Sequence, residues 1–275
     1  MNEYVAAAII GVVEGLTEFL PVSSTAHIRI TQDLLRLPLD DEYWKMFSIV
    51  IQLGAILSVV CYFSKRIVQF LRSFPGGESG RRRWWNHPLS LVAISFVVTA
   101  IPCFLLDKFI GEMLENKTAI GIALIVGGVV MWLVDKSFSN SPTTHDIEGM
   151  TLRQSVVIGL SQIFAAAFPG TSRSMSTIAG GQIMGLSRSA ALEFSFFLSI
   201  PVMIAATSFK LLQFAVQSPA EISLHQWQML AVGFAISFVV ALAVIVWFMT
   251  WVKKHGFVPF AIYRIAAGLI VLLWL

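Results

Sequence analysis

Two broken apolar segments constrain this chain more than any other feature. Residues 11–27, GVVEGLTEFLPVSSTAH, and 159–177, GLSQIFAAAFPGTSRSMST, both begin as apolar helical text, break at a proline and restart at a serine. They superpose without a gap: Gly11 on Gly159, Glu14 on Gln162, Pro21 on Pro169, Ser23 on Thr171 and Ser24 on Ser172. Proline ends the helix before it, and a hydroxyl residue just beyond caps the next one. Neither half of a broken segment reaches the roughly 20 residues that cross a bilayer. Each is therefore expected to be a re-entrant hairpin that enters and leaves on one face. The first carries Glu14, Glu18 and His27 in greasy surroundings, and the second carries Arg173 among hydroxyls. Such residues are costly inside a membrane, so the two hairpins are expected to be halves of one active site.

Composition supports a membrane setting. Of 275 residues, 56% are hydrophobic and 13% charged, against roughly 25% charged in soluble domains. Eight apolar blocks stand out, at about 4–36, 46–63, 88–106, 118–134, 155–186, 190–212, 228–251 and 257–275. The expected fold is an all-α polytopic membrane protein in a single domain, 1–275, with no room for a sizeable soluble part. The first residues have no basic n-region and no separate cleavage site, which argues against a removed signal peptide. Cys61 and Cys103 lack CxxC spacing and read as small buried apolar residues. Six Lys/Arg crowd into 65–83, ending in Arg81–Arg83 and Trp84-Trp85. In this setting the run reads as a cytoplasmic loop with an interfacial aromatic anchor, not as a nucleic-acid site.

Further matches extend the repeat. Phe47-Ser48 answers Phe194-Ser195, AISFVV occurs at 93–98 and 235–240, and AIGIALIVGGVVMWL (119–133) answers AIYRIAAGLIVLLWL (261–275). Each half, about 1–135 and 154–275 around a linker at 136–153, is then one hairpin and three spanning helices. Three crossings switch sides, so the second copy inserts upside down, as an inverted-topology repeat with its site near the midplane. The basic 65–83 loop and Lys253-Lys254 are expected inside. Segments 38–42, 107–118 and 214–227 are expected outside, with both termini.

The break points carry the chemistry. Glu14 and Glu18 are four apart and share a helix face; they suit a hard divalent ion such as Mg²⁺ or Ca²⁺, or line a water-filled vestibule. Ser23, Ser24 and Thr25 put hydroxyls at a helix start. His27 faces the same opening three residues after Ser24, as a catalytic group or as a satisfied polar side chain. Gly170, Thr171, Ser172, Arg173, Ser174 and Thr177 form a denser anion signal, with close backbone approach, hydroxyl donors and a planar fork that matches phosphate. GxxxG spacings at Gly11/Gly15 and Gly181/Gly185 allow close helix packing. Gln52 and Glu193 are expected to orient the site. Arg188, Lys210 and Arg264 read as snorkelling side chains near block ends, and His87, His145, His225 and His255 as loop or boundary residues.

VEGLTEFLPVSSTAH and FPGTSRSMSTIAGG, with VIQLGAI and VPFAIYR, resemble the bacterial undecaprenyl-pyrophosphate phosphatase family of bacitracin-resistance type, over essentially the whole chain. The resemblance implies hydrolysis of the C55 pyrophosphate carrier lipid to its monophosphate and phosphate, recycling it for peptidoglycan synthesis at the inner membrane. It also implies divalent-cation dependence and a site that opens to the periplasm. By position its functional residues fall on Glu14, Glu18, Ser23, Ser24, His27, Ser172, Arg173 and Thr177. Ala26 stands where many members have glycine. The expected mechanism has Arg173, the second hairpin's hydroxyls and a cation at Glu14/Glu18 hold the pyrophosphate while Ser24, activated by His27, attacks; in a variant, His27 activates water directly. Two other readings are a transporter or flippase of a lipid-linked or small anion and, less well matched, an intramembrane serine protease. A homodimer is left open.

Overall fold

A computed structural model describes residues 2–38, 41–77, 83–105, 117–217 and 222–274. Arg81, Arg82, Asp40, most of 107–118 and part of 214–227, on which charge expectations rest, lie outside these ranges. The described residues form eleven α-helices: α1 Glu3–Thr17, α2 Ser24–Leu34, α3 Glu42–Tyr62, α4 Ser64–Ser73, α5 Pro88–Leu105, α6 Lys117–Phe138, α7 Leu152–Ala167, α8 Arg173–Ile183, α9 Arg188–Gln217, α10 Leu224–His255 and α11 Val258–Trp274. Five of them (α3, α5, α6, α9 and α10) are long and apolar enough to span a membrane, and α11 is a shorter apolar helix. This is a polytopic helical membrane protein.

Both broken segments form hairpins. α2 and α8 have 11 residues each, about 16 Å at helical rise, half of a bilayer core. Side-chain contacts locate their open ends. Beside the start of α1, Tyr4 bonds Gln228 and Glu3 lies 3.5 Å from His225; at the end of α2, Asp33 pairs with Lys117 at the start of α6. Gln154 at the start of α7 donates to the Met184 carbonyl just after α8. Near by, Gln182 bonds Asp135, at the far end of α6. The hairpins thus open toward opposite ends of α6. The basic segments gather at the second end: Arg66 of α4 pairs with Glu148, and Phe257 N, just past Lys253-Lys254, donates to Asp135.

Helix pairing exchanges the halves. α1 packs on α10 while α7 packs on α5; α3 packs on α10 while α9 packs on α5; α6 and α11 pair with each other. Glycines make these contacts close. A Cβ on Gly15 would fall 2.8 Å from Ser237 O and 2.7 Å from Val240 Cβ, and one on Gly159 2.8 Å from Ser95 O and 3.1 Å from Val98 Cβ. Ser95 and Ser237, like Val98 and Val240, are the matched positions of AISFVV. Packing therefore sets Gly15 against Gly159, and the hairpin caps set Ser23 against Ser172. The ungapped match of Gly11 to Gly159 is corrected. Gly15 to Ser23 is eight positions and Gly159 to Ser172 thirteen, so the second hairpin carries five extra residues. The counterpart of Gln162 is Glu18, not Glu14.

Other expectations change as well. The first part of the basic 65–83 stretch is helical, as α4. The 136–153 linker is docked, with Thr144 bridged to Leu186 and bonded by Gln154. Cys61 and Cys103 are free thiols that the protein does not bury. His87 is fully buried, against Ser73.

Asp135 is the tightest knot at the basic end. Fully buried, it accepts from Arg188 Nε at 2.7 Å and Nη2 at 2.9 Å, from Gln182 Nε2 at 3.0 Å and from Phe257 N at 3.1 Å. Arg188, taken as a snorkelling residue, is its counter-ion. Removing one partner of a buried pair costs about 3–5 kcal/mol when a charge is stranded. Arg188 can still reach water and Asp135 cannot. Arg188→Ala is therefore expected to lower the unfolding temperature in detergent more than Asp135→Asn does; the reverse order would contradict this account of the knot.

Candidate active site

The two hairpin tips meet around Glu18. The chain leaves α1 after Thr17, turns through Pro21 and restarts at Ser23, whose φ is 75° and whose hydroxyl accepts from Ala26 N. Ser172 repeats this cap at φ 75°, accepting from Met175 N. Non-glycine residues at positive φ are uncommon and persist where surrounding structure over-determines them, often at functional sites.

Glu18 is gripped from both hairpins. Ser24 Oγ donates to its Oε2 at 2.6 Å, and Arg173 Nη2 donates to its Oε1 at 3.2 Å across 155 residues of sequence. The exposures are 5% for Glu18 and 15% for Arg173. Arg173 Nη1 reaches the Ser195 carbonyl at 3.3 Å, and its buried Nε has no partner. Glu14 lies one turn earlier beside Glu18, completely buried, and among the described residues neither of its carboxylate oxygens meets a hydrogen-bond donor.

The remaining hydroxyls tie the tips together. Ser174 Oγ donates to the Leu20 carbonyl at 3.0 Å and lies 3.1 Å from Ser172 Oγ, and Thr177 Oγ1 lies 2.7 Å from Ser195 Oγ. Thr171 donates its backbone N–H to Phe168 O within its own turn. Gly170, at φ 95°, comes so close to α6 that a Cβ would sit 2.8 Å from Ile120 O. Thr25 is exposed and lines a polar cavity of about 380 Å³ that also takes in Gln52, Arg29, Lys45 and Lys210.

His27 departs from expectation. Its Nδ1 lies 2.7 Å from the Ser23 carbonyl and its Nε2 2.7 Å from Tyr263 Oη. A carbonyl only accepts, so Nδ1 carries the proton and Nε2 accepts from the tyrosine. Ser24 Oγ donates to Glu18, so the carboxylate, not the imidazole, is the acceptor that the serine hydroxyl meets. Glu193 pairs with Arg66, which also holds Glu148; these are the polar contacts the structure gives it.

Arg264 is the largest correction. Far from snorkelling, it is 0% exposed. Its guanidinium donates to four carbonyls: Pro21 at 3.1 Å, Gly170 at 2.9 Å, Ala123 at 3.2 Å and Leu124 at 3.4 Å. The first two belong to the two hairpin tips, so one side chain bolts both to α6. The signal that could have found it is the VPFAIYR string, which sets an arginine within an apolar block.

Fold and centre together define a multi-pass helical membrane protein with an intramembrane acid, hydroxyl and arginine centre built from two hairpins. Its sequence matches the family model described as Bacitracin resistance protein BacA over residues 7–270, and the chain belongs to that family. It is 54% identical to the undecaprenyl-diphosphatase of Koribacter versatilis, covering all of this chain and 99% of that one. It is 42% identical to the undecaprenyl-diphosphatase of Novosphingobium aromaticivorans, over 100% of this chain and 99% of the relative. The corresponding protein of Caldanaerobacter subterraneus subsp. tengcongensis is 41% identical, over 99% and 96%.

Lysine cannot reproduce a planar fork with several fixed donors, and each stranded buried carbonyl costs about 1–3 kcal/mol. Arg264→Lys is expected to raise hydrogen exchange at 18–24 and 168–174 together, leaving the middle of α10 protected. Exchange that rises at one tip alone would show that Arg264 does not couple them.

Proposed function

We propose that this protein hydrolyses undecaprenyl pyrophosphate to undecaprenyl phosphate and inorganic phosphate at the bacterial inner membrane, in a site open to the periplasm. The observation that carries the reading is the Ser24–Glu18–Arg173 chain, a nucleophile, a base and a phosphate-binding cation in direct contact inside a membrane domain. Family membership and the relatives' printed names support the substrate. The inverted repeat and the orientation are supported by hairpins that open toward opposite ends of α6 and by basic segments gathered at one end.

Arg173 supplies the planar fork that phosphate oxygens match. When it turns to the terminal phosphate, Glu18 is left free to take the Ser24 proton. Ser24 Oγ then bonds to the terminal phosphorus as the bond to the bridging oxygen breaks, and the lipid monophosphate leaves. Water releases phosphate from the serine in a second step. There, the accepting Nε2 of His27 suits a water that replaces Tyr263. Ser172, Ser174 and Thr177 keep Arg173 and the second tip in place. Both halves of the site come from one chain, so this chemistry requires no second copy.

A divalent cation, Mg²⁺ or Ca²⁺, fits the donor set. The orphaned oxygens of Glu14 beside Glu18 are hard ligands, and phosphate oxygens of the substrate customarily complete such a shell. Among the described residues no cluster of three His, Cys, Asp or Glu occurs, in keeping with an ion held jointly by protein and substrate. Bound there, it would spread the charge of the pyrophosphate.

Transport of an anion through the inverted repeat is the competing reading. Phosphate release from undecaprenyl pyrophosphate, measured for purified protein with and without chelator, separates the two. Wild type is expected to release phosphate only with the ion present; release no greater than that of Arg173→Ala would leave transport standing. Glu18→Gln is expected to lower kcat by about 10²–10⁴-fold, the usual worth of a general base, and Ser24→Ala to abolish a phosphoseryl adduct trapped by rapid quench. Full turnover by Ser24→Ala would exclude the serine nucleophile. Glu14→Gln is expected to shift the metal dependence to higher concentration, with rate recovered at saturating ion.

A further inference from the structure

Between the two halves lies a cavity whose apolar body the chemistry above does not use. It lies between α5, α7 and α9, measures about 410 Å³, and has walls of Phe96, Cys103, Ala165, Ala166, Ala205 and Phe209 among others. That volume falls within the roughly 300–1,000 Å³ of small-ligand sites. Four polar side chains break the apolar lining: Thr99, whose hydroxyl donates to the Ser95 and Gly159 carbonyls, Lys210, which donates to Gln213, and the pair Gln162 and Arg173. Among the described residues Gln162, 2% exposed, has neither its amide oxygen nor its amide nitrogen bonded, and Arg173, whose Nε is likewise unpartnered, lines the same cavity. Native proteins seldom leave buried polar atoms orphaned, and those that are call for a partner. The helical register makes the arrangement telling. Gln162 is the counterpart of Glu18, and two of the residues that line the cavity, Ala165 and Ala166, belong to the stretch where the second hairpin is five residues longer.

We propose that this cavity holds the isoprene units adjoining the pyrophosphate of the lipid substrate. The proposal rests on the phosphatase reading for the identity of the head group. A ligand matched to this site has an apolar chain for the alanine and phenylalanine walls and an anionic end at Arg173 and Gln162. A free phosphate would leave the walls unfilled, and a plain hydrocarbon would leave the amide and the guanidinium unsatisfied. Continuity with the centre decides the occupant. Arg173 holds Glu18 with one nitrogen and faces the cavity with the same side chain. With the terminal phosphate at Arg173, the second phosphate and the chain it bears therefore lie at the mouth of the cavity. Gln162 Nε2 donates to an oxygen of the phosphate that bears the chain. The first hairpin then carries the chemistry and the second selects the lipid.

Cys103 on the cavity wall is a built-in reporter. In Cys61→Ser, Ser24→Ala protein in nanodiscs, maleimide labelling of Cys103 is followed by mass spectrometry with undecaprenyl pyrophosphate, isopentenyl pyrophosphate or phosphatidylglycerol. Labelling is expected to slow severalfold with the long-chain pyrophosphate and little with the other two. Equal protection by phosphatidylglycerol would make the cavity a general lipid groove, and no protection would place the chain elsewhere; either overturns the proposal. Kinetics on Cys61→Ser, Ala166→Phe protein give a second arm. Filling the cavity is expected to raise KM for the undecaprenyl substrate about tenfold, as for a few methylenes excluded from a pocket. kcat, and turnover of isopentenyl pyrophosphate, are expected to stay within about twofold, since kcat does not depend on that contact and a single C5 unit fills little of the cavity. Equal loss on both substrates, or on neither, overturns it. If unmutated protein releases phosphate from neither substrate, the phosphatase reading fails, while the labelling arm still reports whether the chain binds.

Discussion

The structure hangs on one buried ion pair, Glu18 with Arg173, joined across 155 residues of chain. Such a pair gives little net stability, because desolvation of two charges offsets their attraction, yet stranding either partner is strongly destabilising. Its consequence is coupling: neither hairpin tip can settle without the other. Arg264 makes the same demand with different chemistry, since four carbonyls from both tips and from α6 converge on one guanidinium that has no carboxylate of its own.

The pair also explains why two short helices tolerate an awkward start. Ser23 and Ser172 both sit at φ 75°, a conformation that costs of order 1–3 kcal/mol for a non-glycine residue. Each is held by its own cap and by cross-tip bonds, Ser174 to Leu20 and Arg264 to Pro21 and Gly170. The twist turns each chain sharply enough for the next residue, Ser24 in one case and Arg173 in the other, to point at Glu18. Local strain and catalytic aim come from the same dihedral angle.

Much of this could be read from the residues. Proline followed by hydroxyls fixed both breaks to within a few positions, and charges inside apolar text singled out Glu18 and Arg173. The register between the hairpins was harder, because apolar text is low in information and an ungapped match of glycines and prolines conceals five extra residues. Only the packing of Gly15 and Gly159 on equivalent serines exposes them. Arg264 was misjudged because snorkelling is argued from distance to a block end, and a 17-residue helix leaves every position near an end. Tyr263 and Ser195 carry no sequence signal of their own; they matter through side chains that reach them from other helices. Likewise, Glu193 looked aligned with the site by repeat position, but its carboxylate goes to Arg66.

A repeat offers the same scaffold twice, and function then depends on where the copies differ. Here the difference concentrates at one matched pair. Glu18 accepts bonds from a serine and an arginine and so builds a polar centre; Gln162, its counterpart, accepts none and faces an apolar cavity. A carboxylate at Gln162 would be a second buried negative charge near Arg173, competing with Glu18 for the same guanidinium. An amide there keeps hydrogen-bonding capacity without that competition. The neutral residue in the second copy is thus a condition for the charged pair in the first, and the asymmetry of one position sets a polar centre on one side and an apolar cavity on the other.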